Sequence, residues 1–169
     1  MPNLPLSQSE YVALINQAVL ADNWNYALGI CEEAVEAHPH YAEFKYLLGS
    51  VMAHQKDFEG AKKWLELSLV EQCDSIHPAA FQLGLIYITS QELMAAKKAW
   101  LHLDALDDKH YFNYFRFGML FLVDNKFSEA VESLQSGIEL NEEFPSINSD
   151  MTQVIERIKS VLKRNQYES

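Results

Sequence analysis

The sequence predicts an all-α protein, four helix–turn–helix repeats stacked side by side and closed by a ninth helix. Three observations carry this. Alanine recurs in matching contexts at Ala27, Ala61, Ala96 and Ala130, with steps of 34, 35 and 34 residues. A large apolar residue followed by glycine recurs at Leu48-Gly49, Leu83-Gly84 and Phe117-Gly118, with Leu14-Ile15 standing 34 residues before the first. Two further series, Trp24, Phe58, Leu93, Phe127 and Cys31, Leu65, Trp100, Leu134, keep the same register. Four series in one register identify an internal repeat, which has to be recognised before any local structure is read.

Each helix follows from its boundary signals and its apolar spacing. Ser7-Gln8-Ser9-Glu10 is a capping box that opens the first helix, read over 7–20. Asn23, Asp57 and Asn125 are N-cap candidates for the second helices of the first, second and fourth repeats. These second helices are read over 24–37, 58–71 and 127–140. His38-Pro39 and Ile76-His77-Pro78 punctuate the turns between repeats, so first helices are read over 41–55 and 77–89. The third repeat closes with a helix over 92–106, and the fourth opens with one over 110–123. The single step of 35 is an insertion between Ala61 and Leu83, placed in the turn around CDSIHP, where it leaves both helix faces in phase.

The ninth helix, 146–164, is not a repeat. Ile147, Met151, Val154, Ile155, Ile158, Val161 and Leu162 form one apolar stripe, and the opposite face carries Asp150, Gln153, Glu156, Arg157, Lys159, Ser160 and Lys163. A stack of repeats needs such a half-polar cap. The domain expectation is therefore one unit over 1–169, with repeats at about 8–41, 42–75, 77–110 and 111–144. Inside each repeat, Gly49, Gly84 and Gly118 on the first helix admit close approach of the second helix, which offers Ala61, Ala96 and Ala130.

Bulk composition bounds the function. Hydrophobic residues make up 49% and charged residues 22% of the 169 residues, ordinary values for a globular domain. The formal net charge is −11. Residues 1–145 hold 9 Lys/Arg against 21 Asp/Glu, and the last 24 residues hold 4 against 3. An acidic surface repels phosphate backbones and anionic lipid, so neither nucleic acid nor membrane is an expected partner. The start, MPNLPLSQSEYV, has neither a basic nor an apolar leader, and the longest apolar run is Phe117 to Val123. With two cysteines, Cys31 and Cys73, no disulfide framework is expected, and the expected compartment is the cytoplasm.

No catalytic, metal or cofactor constellation is read. His38, His40, His54 and His77 are scattered, without the close pairing that sets metal geometry. Cys31 holds a core position and Cys73 lies near a turn with partial exposure expected; neither has a basic neighbourhood to activate it. Glu32-Glu33 and Asp107-Asp108 read as solvated charge, and Lys62-Lys63 with Lys97-Lys98 as helix faces paired to nearby glutamates. No glycine-rich phosphate loop is present. The chain is therefore not expected to be an enzyme.

The repeat resembles the tetratricopeptide family, whose 34-residue pattern is Trp-x2-Leu-Gly-x2-Tyr, then Ala-x3-Phe, then Pro. The residues that carry the likeness are AAFQLGLIY and AAKKAW, KYLLGSVM and GAKKWLELS, YFRFGMLF and EAVESLQSG, and YVALINQA with NYALGICEEAVEAHP. It covers about residues 8–144. The resemblance implies a right-handed superhelical solenoid of α-α hairpins that acts as a protein-interaction scaffold. In that family the first helices line a concave groove. By position the groove here would be lined by Val12, Asn16 and Val19; Tyr46, Ser50 and Ala53; Phe81, Leu85 and Ile88; and Phe115, Met119 and Leu122.

That set is mostly apolar. Family members that grip acidic chaperone tails use Lys, Asn and Arg on these faces. The corresponding positions here hold Val12, Leu47, Pro78 and Gln82, with only Asn16 matching, and a shift of one repeat leaves only Arg116 matching. The implied function is an adaptor that holds an apolar or amphipathic polypeptide segment. Bacterial secretion chaperones, similar in size and acidity, are an alternative, although they usually show three repeats. Another is a structural subunit whose groove is filled by its own helix, by the N-terminal arm MPNLPL or by a second copy in a homodimer.

Overall fold

The computed structural model describes residues 5–167, and among them every regular element is helical. The helices are α1 (Gln8–Leu20), α2 (Trp24–Ala37), α3 (Ala42–His54), α4 (Phe58–Val70), α5 (Ile76–Thr89), α6 (Leu93–Trp100), α7 (Tyr111–Val123), α8 (Phe127–Leu140) and α9 (Pro145–Tyr167). The sixth helix is shorter than its spacing suggests, because its last turns tighten into a 3-10 turn, Leu101–Ala105. The chain divides into two compact units, Met1–His102 and Leu103–Ser169.

The turns within the hairpins share one construction. Asp22, Lys56, Gln91 and Asn125 each adopt a left-handed conformation, with φ between 56° and 65°. The N–H of Asp22 donates to the Val19 carbonyl and that of Asn23 to the Ala18 carbonyl. The same pair of bonds recurs from Lys56 and Asp57, from Gln91 and Glu92, and from Asn125 and Lys126. This is a Schellman closure of the first helix, and its last residue is already the N-cap of the second. Asn23 and Asp57 complete the cap with their side chains, accepting from the N–H of Tyr26 and of Gly60. Asn125 corrects the expectation: it is the left-handed residue, not the cap, and Lys126 holds the cap position without a side-chain bond.

The capping box at Ser7 is fully formed, with Glu10 N–H donating to Ser7 and Ser7 N–H donating to the Glu10 carboxylate at 2.8 Å. Between repeats, the α2–α3 connection is 38–41 and the α4–α5 connection is 71–75, one residue longer. The inserted residue thus lies in the α4–α5 turn. Glu43, in the first turn of α3, accepts the Ser75 N–H at 2.9 Å and ties this longer turn to the preceding repeat. Lys45, buried, donates to the Pro39 carbonyl at 2.8 Å and pairs with Glu71, the C-cap of α4.

In the first unit, Tyr11, Ile15, Ala18, Ala27, Ile30, Cys31, Ala34, Phe44, Leu48 and Val51 form a continuous core. The glycines meet their expected partners. A methyl group added at Gly49 would stand 2.8 Å from Leu65, and one at Gly84 would stand 2.0 Å from the Trp100 indole nitrogen. In the first repeat the sizes are exchanged: Ile15 takes the glycine position, and the small Cys31 stands where the others carry Leu65, Trp100 and Leu134.

In the second unit, a methyl at Gly118 would stand 2.6 Å from Leu134, so α7 and α8 repeat the same contact. Phe115 packs against Gly137, where a methyl would meet its ring at 2.5 Å. The helix α7 buries Tyr111, Phe112, Asn113, Phe115, Gly118 and Met119 and leaves Phe117 and Val123 exposed. The helix α9 packs on α8 with Met151, Ile155 and Ile158 buried, while Val161 of the same stripe remains 40% exposed. Asn141 builds the α8–α9 corner: its oxygen accepts the N–H groups of Glu143 and Phe144, and its amide donates to Asn148 at 2.9 Å.

Candidate binding surface

The surface expected to bind lies on the first helix of each hairpin. In the first unit that means α1, α3 and α5. Val12 and Val19 of α1 are half-buried against the core and Asn16 is exposed. Tyr46, Ser50 and Ala53 of α3, and Leu85 and Ile88 of α5, are half-buried as well. Ser50 donates to the Gln82 side-chain oxygen at 2.7 Å, which links α3 to α5 across this row. Burial pushes the Tyr46 phenol up to about 12, against the opposing effect of its bond with Ser50. The arrangement is a row of partly exposed apolar groups around one satisfied polar pair.

Three expected lining residues are corrected. Phe81 and Phe115 are 1% and 0% exposed, and Met119 is buried too. Phe81 turns toward the second helix of its own repeat, its ring 6.3 Å from Trp100, whose indole N–H donates to the Phe81 carbonyl. Phe115 fills the space left by Gly137 on α8. These are core side chains and offer almost no surface to a ligand. Leu122 is half-buried on α7, within the second unit. Gln82, by contrast, does belong to the row in the first unit. Its signal was the register with Leu47, one residue beyond the Tyr46 and Phe81 series.

The remaining polar groups serve the scaffold. Lys62 of α4 spans Glu59 at 3.2 Å and Glu92 at 2.6 Å, joining consecutive second helices. Tyr11 donates to Glu33 at 2.8 Å, and Tyr111 to Glu143 at 2.6 Å. Cys73 is buried rather than partly exposed, and burial raises its thiol above the usual range. Burial, aided by Glu32, pushes the Cys31 thiol up to about 12, so at neutral pH it is protonated and a poor nucleophile. Among the described residues, no group of three or more His, Cys, Asp or Glu is placed to hold a metal ion, and no helix is long and apolar enough to cross a membrane.

No family model matches the sequence. No curated protein matches it either. Solved structures do. A crystal structure of MamA is similar with a TM-score of 0.62 at 19% identity, covering 82% of this chain and 80% of that one. MamA from Desulfovibrio magneticus RS-1 is similar with a TM-score of 0.62 at 14% identity, over 95% of this chain and 96% of that one. YrrB, described as a TPR protein with an unusual peptide-binding site, gives a TM-score of 0.60 at 18% identity, over 90% of this chain and 76% of that one. The repeat register, the glycine contacts of the hairpins and these likenesses agree: the chain has the α-helical hairpin repeat fold of the tetratricopeptide proteins.

Proposed function

We propose that the chain is a non-catalytic protein-interaction scaffold that holds an apolar or amphipathic polypeptide segment along α1, α3 and α5. The observation that carries this reading is the row built around the Ser50–Gln82 bond, with Val12, Val19, Tyr46, Leu85 and Ile88 half-buried beside it. Partly exposed apolar groups gain from being covered, and a few fixed polar groups orient what covers them. YrrB, with its peptide-binding site, has the same fold. The formal charge of −11 favours basic or apolar segments over nucleic acid.

The test is selection of binding peptides from a displayed library on the immobilised protein, followed by affinity measurement on Leu85→Glu with Ile88→Glu. Both side chains are half-buried, so helicity should persist in circular dichroism. The expected result is a set of peptides with apolar anchors whose affinity falls at least about tenfold on the variant. Unchanged affinity in a variant of full helicity, or a library that yields no binder, overturns the reading.

A further inference from the structure

A second surface, sharing no residue with the row on α1, α3 and α5, lies beside the first hairpin. Leu6, Leu14, Tyr26, Gly29, Ile30 and Glu33 line an open cleft of about 480 Å3. The segment carrying Leu6 is held in place by its carbonyl, 2.8 Å from the His38 ring nitrogen. Tyr26 is 54% exposed, although it is a large aromatic group. Gly29 is the odd glycine of the molecule. A methyl group added at Gly49, Gly60, Gly84, Gly118 or Gly137 meets another side chain at 2.8 Å or less; one added at Gly29 meets nothing within 4 Å. Glycine in the middle of a helix disfavours the helix, and here no internal contact requires it. The floor of the cleft is open above Gly29.

Charge says what fits there. Residues 1–44 contain no Lys or Arg, and the first hairpin carries Glu10, Asp22, Glu32, Glu33 and Glu36. The complementary element is in the same chain. On α9, Ile147, Val154 and Val161 repeat every seven residues beside the buried stripe, so they form one flank of the helix. Arg157 and Arg164, both exposed, lie one turn along that flank. Asp150 stands at its N-terminal end, which leaves the cationic part over the C-terminal half, where Val161 is exposed. We propose that the cleft on the first hairpin receives the α9 helix of a second copy of this chain, with the Val154–Val161 flank lying across the cleft at Gly29 and Arg157 and Arg164 on the side of Glu33. Each copy carries both surfaces, so the contact either exchanges α9 reciprocally within a pair or adds copies head to tail.

The test is light scattering on the full chain over a range of concentrations. Wild type should associate as its concentration rises, and less in about 1 M salt, where charges are screened beyond about 3 Å. Gly29→Trp fills the cleft from a position that points into open space, and Arg157→Glu with Arg164→Glu reverses an exposed flank; both should keep full helicity and lower association about tenfold or more. Mixed together, the two variants should form one-to-one dimers and nothing larger, because one supplies an intact α9 and the other an intact cleft. Four results overturn the proposal: a monomeric wild type, association that survives Gly29→Trp, defective variants that do not complement, and a wild type that associates only after residues 1–4 are removed, which would give the cleft to the chain's own N-terminus.

Discussion

At the scale of single residues, the pairing of a glycine on the first helix with a large side chain on the second sets the hairpin spacing. Trp100 is buried, with its indole nitrogen bonded to the Phe81 carbonyl, so it cannot retreat from a group added at Gly84. Gly84→Ala should therefore cost about 1–3 kcal/mol, as overpacking of a filled core does. Trp100→Leu in the same background should recover part of that loss, since Leu65 fills the equivalent place opposite Gly49. Thermal or denaturant unfolding of the single and double variants reads both effects; a loss no smaller in the double variant would place the strain elsewhere. These positions were legible in the sequence because steric needs repeat with the fold. The lining residues were not. Val12, Tyr46, Phe81 and Phe115 share one register, yet the first two are half-buried and the last two are core. Register gives a residue's place on its helix, but the depth at which it sits depends on what its neighbours leave unfilled.

At the scale of elements, helix and turn are joined without slack. The residue that ends one helix begins the next, and the residue before it must be left-handed, a conformation that costs most L-residues about 1–2 kcal/mol. Asp22 and Asn125 tolerate it better than Lys56 and Gln91 do. Gln91→Gly should raise stability by about 0.5–1 kcal/mol, the relief of strain less the added freedom of the unfolded chain. A higher melting temperature without change in the circular dichroism spectrum is the expected result; a lower one would mean that the side chain of Gln91 contributes more than the strain costs. The identity of Asn125 turns on the same geometry. Asparagine suits both an N-cap and a left-handed position, so its chemistry alone does not decide. The register does: Asn23, Asp57, Glu92 and Lys126 fall at steps of 34, 35 and 34, which leaves Asn125 in line with Asp22.

At the scale of the whole molecule, five tyrosines share one electrostatic character. The phenols of Tyr11, Tyr41, Tyr46, Tyr87 and Tyr111 are all raised from the ordinary value of 10.0, with burial the largest cause in each. Glu33, Glu66 and Glu143 add to the rise at Tyr11, Tyr87 and Tyr111 by accepting their hydroxyl protons in hydrogen bonds. A raised folded value means that the fold favours the neutral phenol. The resulting stability is complete below pH 10 and is lost as the pH climbs toward about 12, where Tyr46 ionises. Alkaline unfolding should thus be steep, with tyrosinate absorbance rising together with loss of helicity, and Tyr87→Phe should make it shallower. Ionisation of these five tyrosines near pH 10 in the fully helical protein would refute this. The acidic composition was visible in the sequence, but these three tyrosine–carboxylate bonds, which span 21 to 32 residues, depend on which helices the fold brings together.

The exchange of sizes in the first repeat, isoleucine for glycine and cysteine for the larger partner, also gives the molecule an internal reporter. A thiol at Cys31, sealed and held protonated, reacts with a disulfide reagent only when the first hairpin opens. Cys73, also buried, answers for the turn between the second and third repeats. The rates at which the two are labelled under native conditions would give the opening free energies of two neighbouring segments of the first unit, with no probe added to the chain.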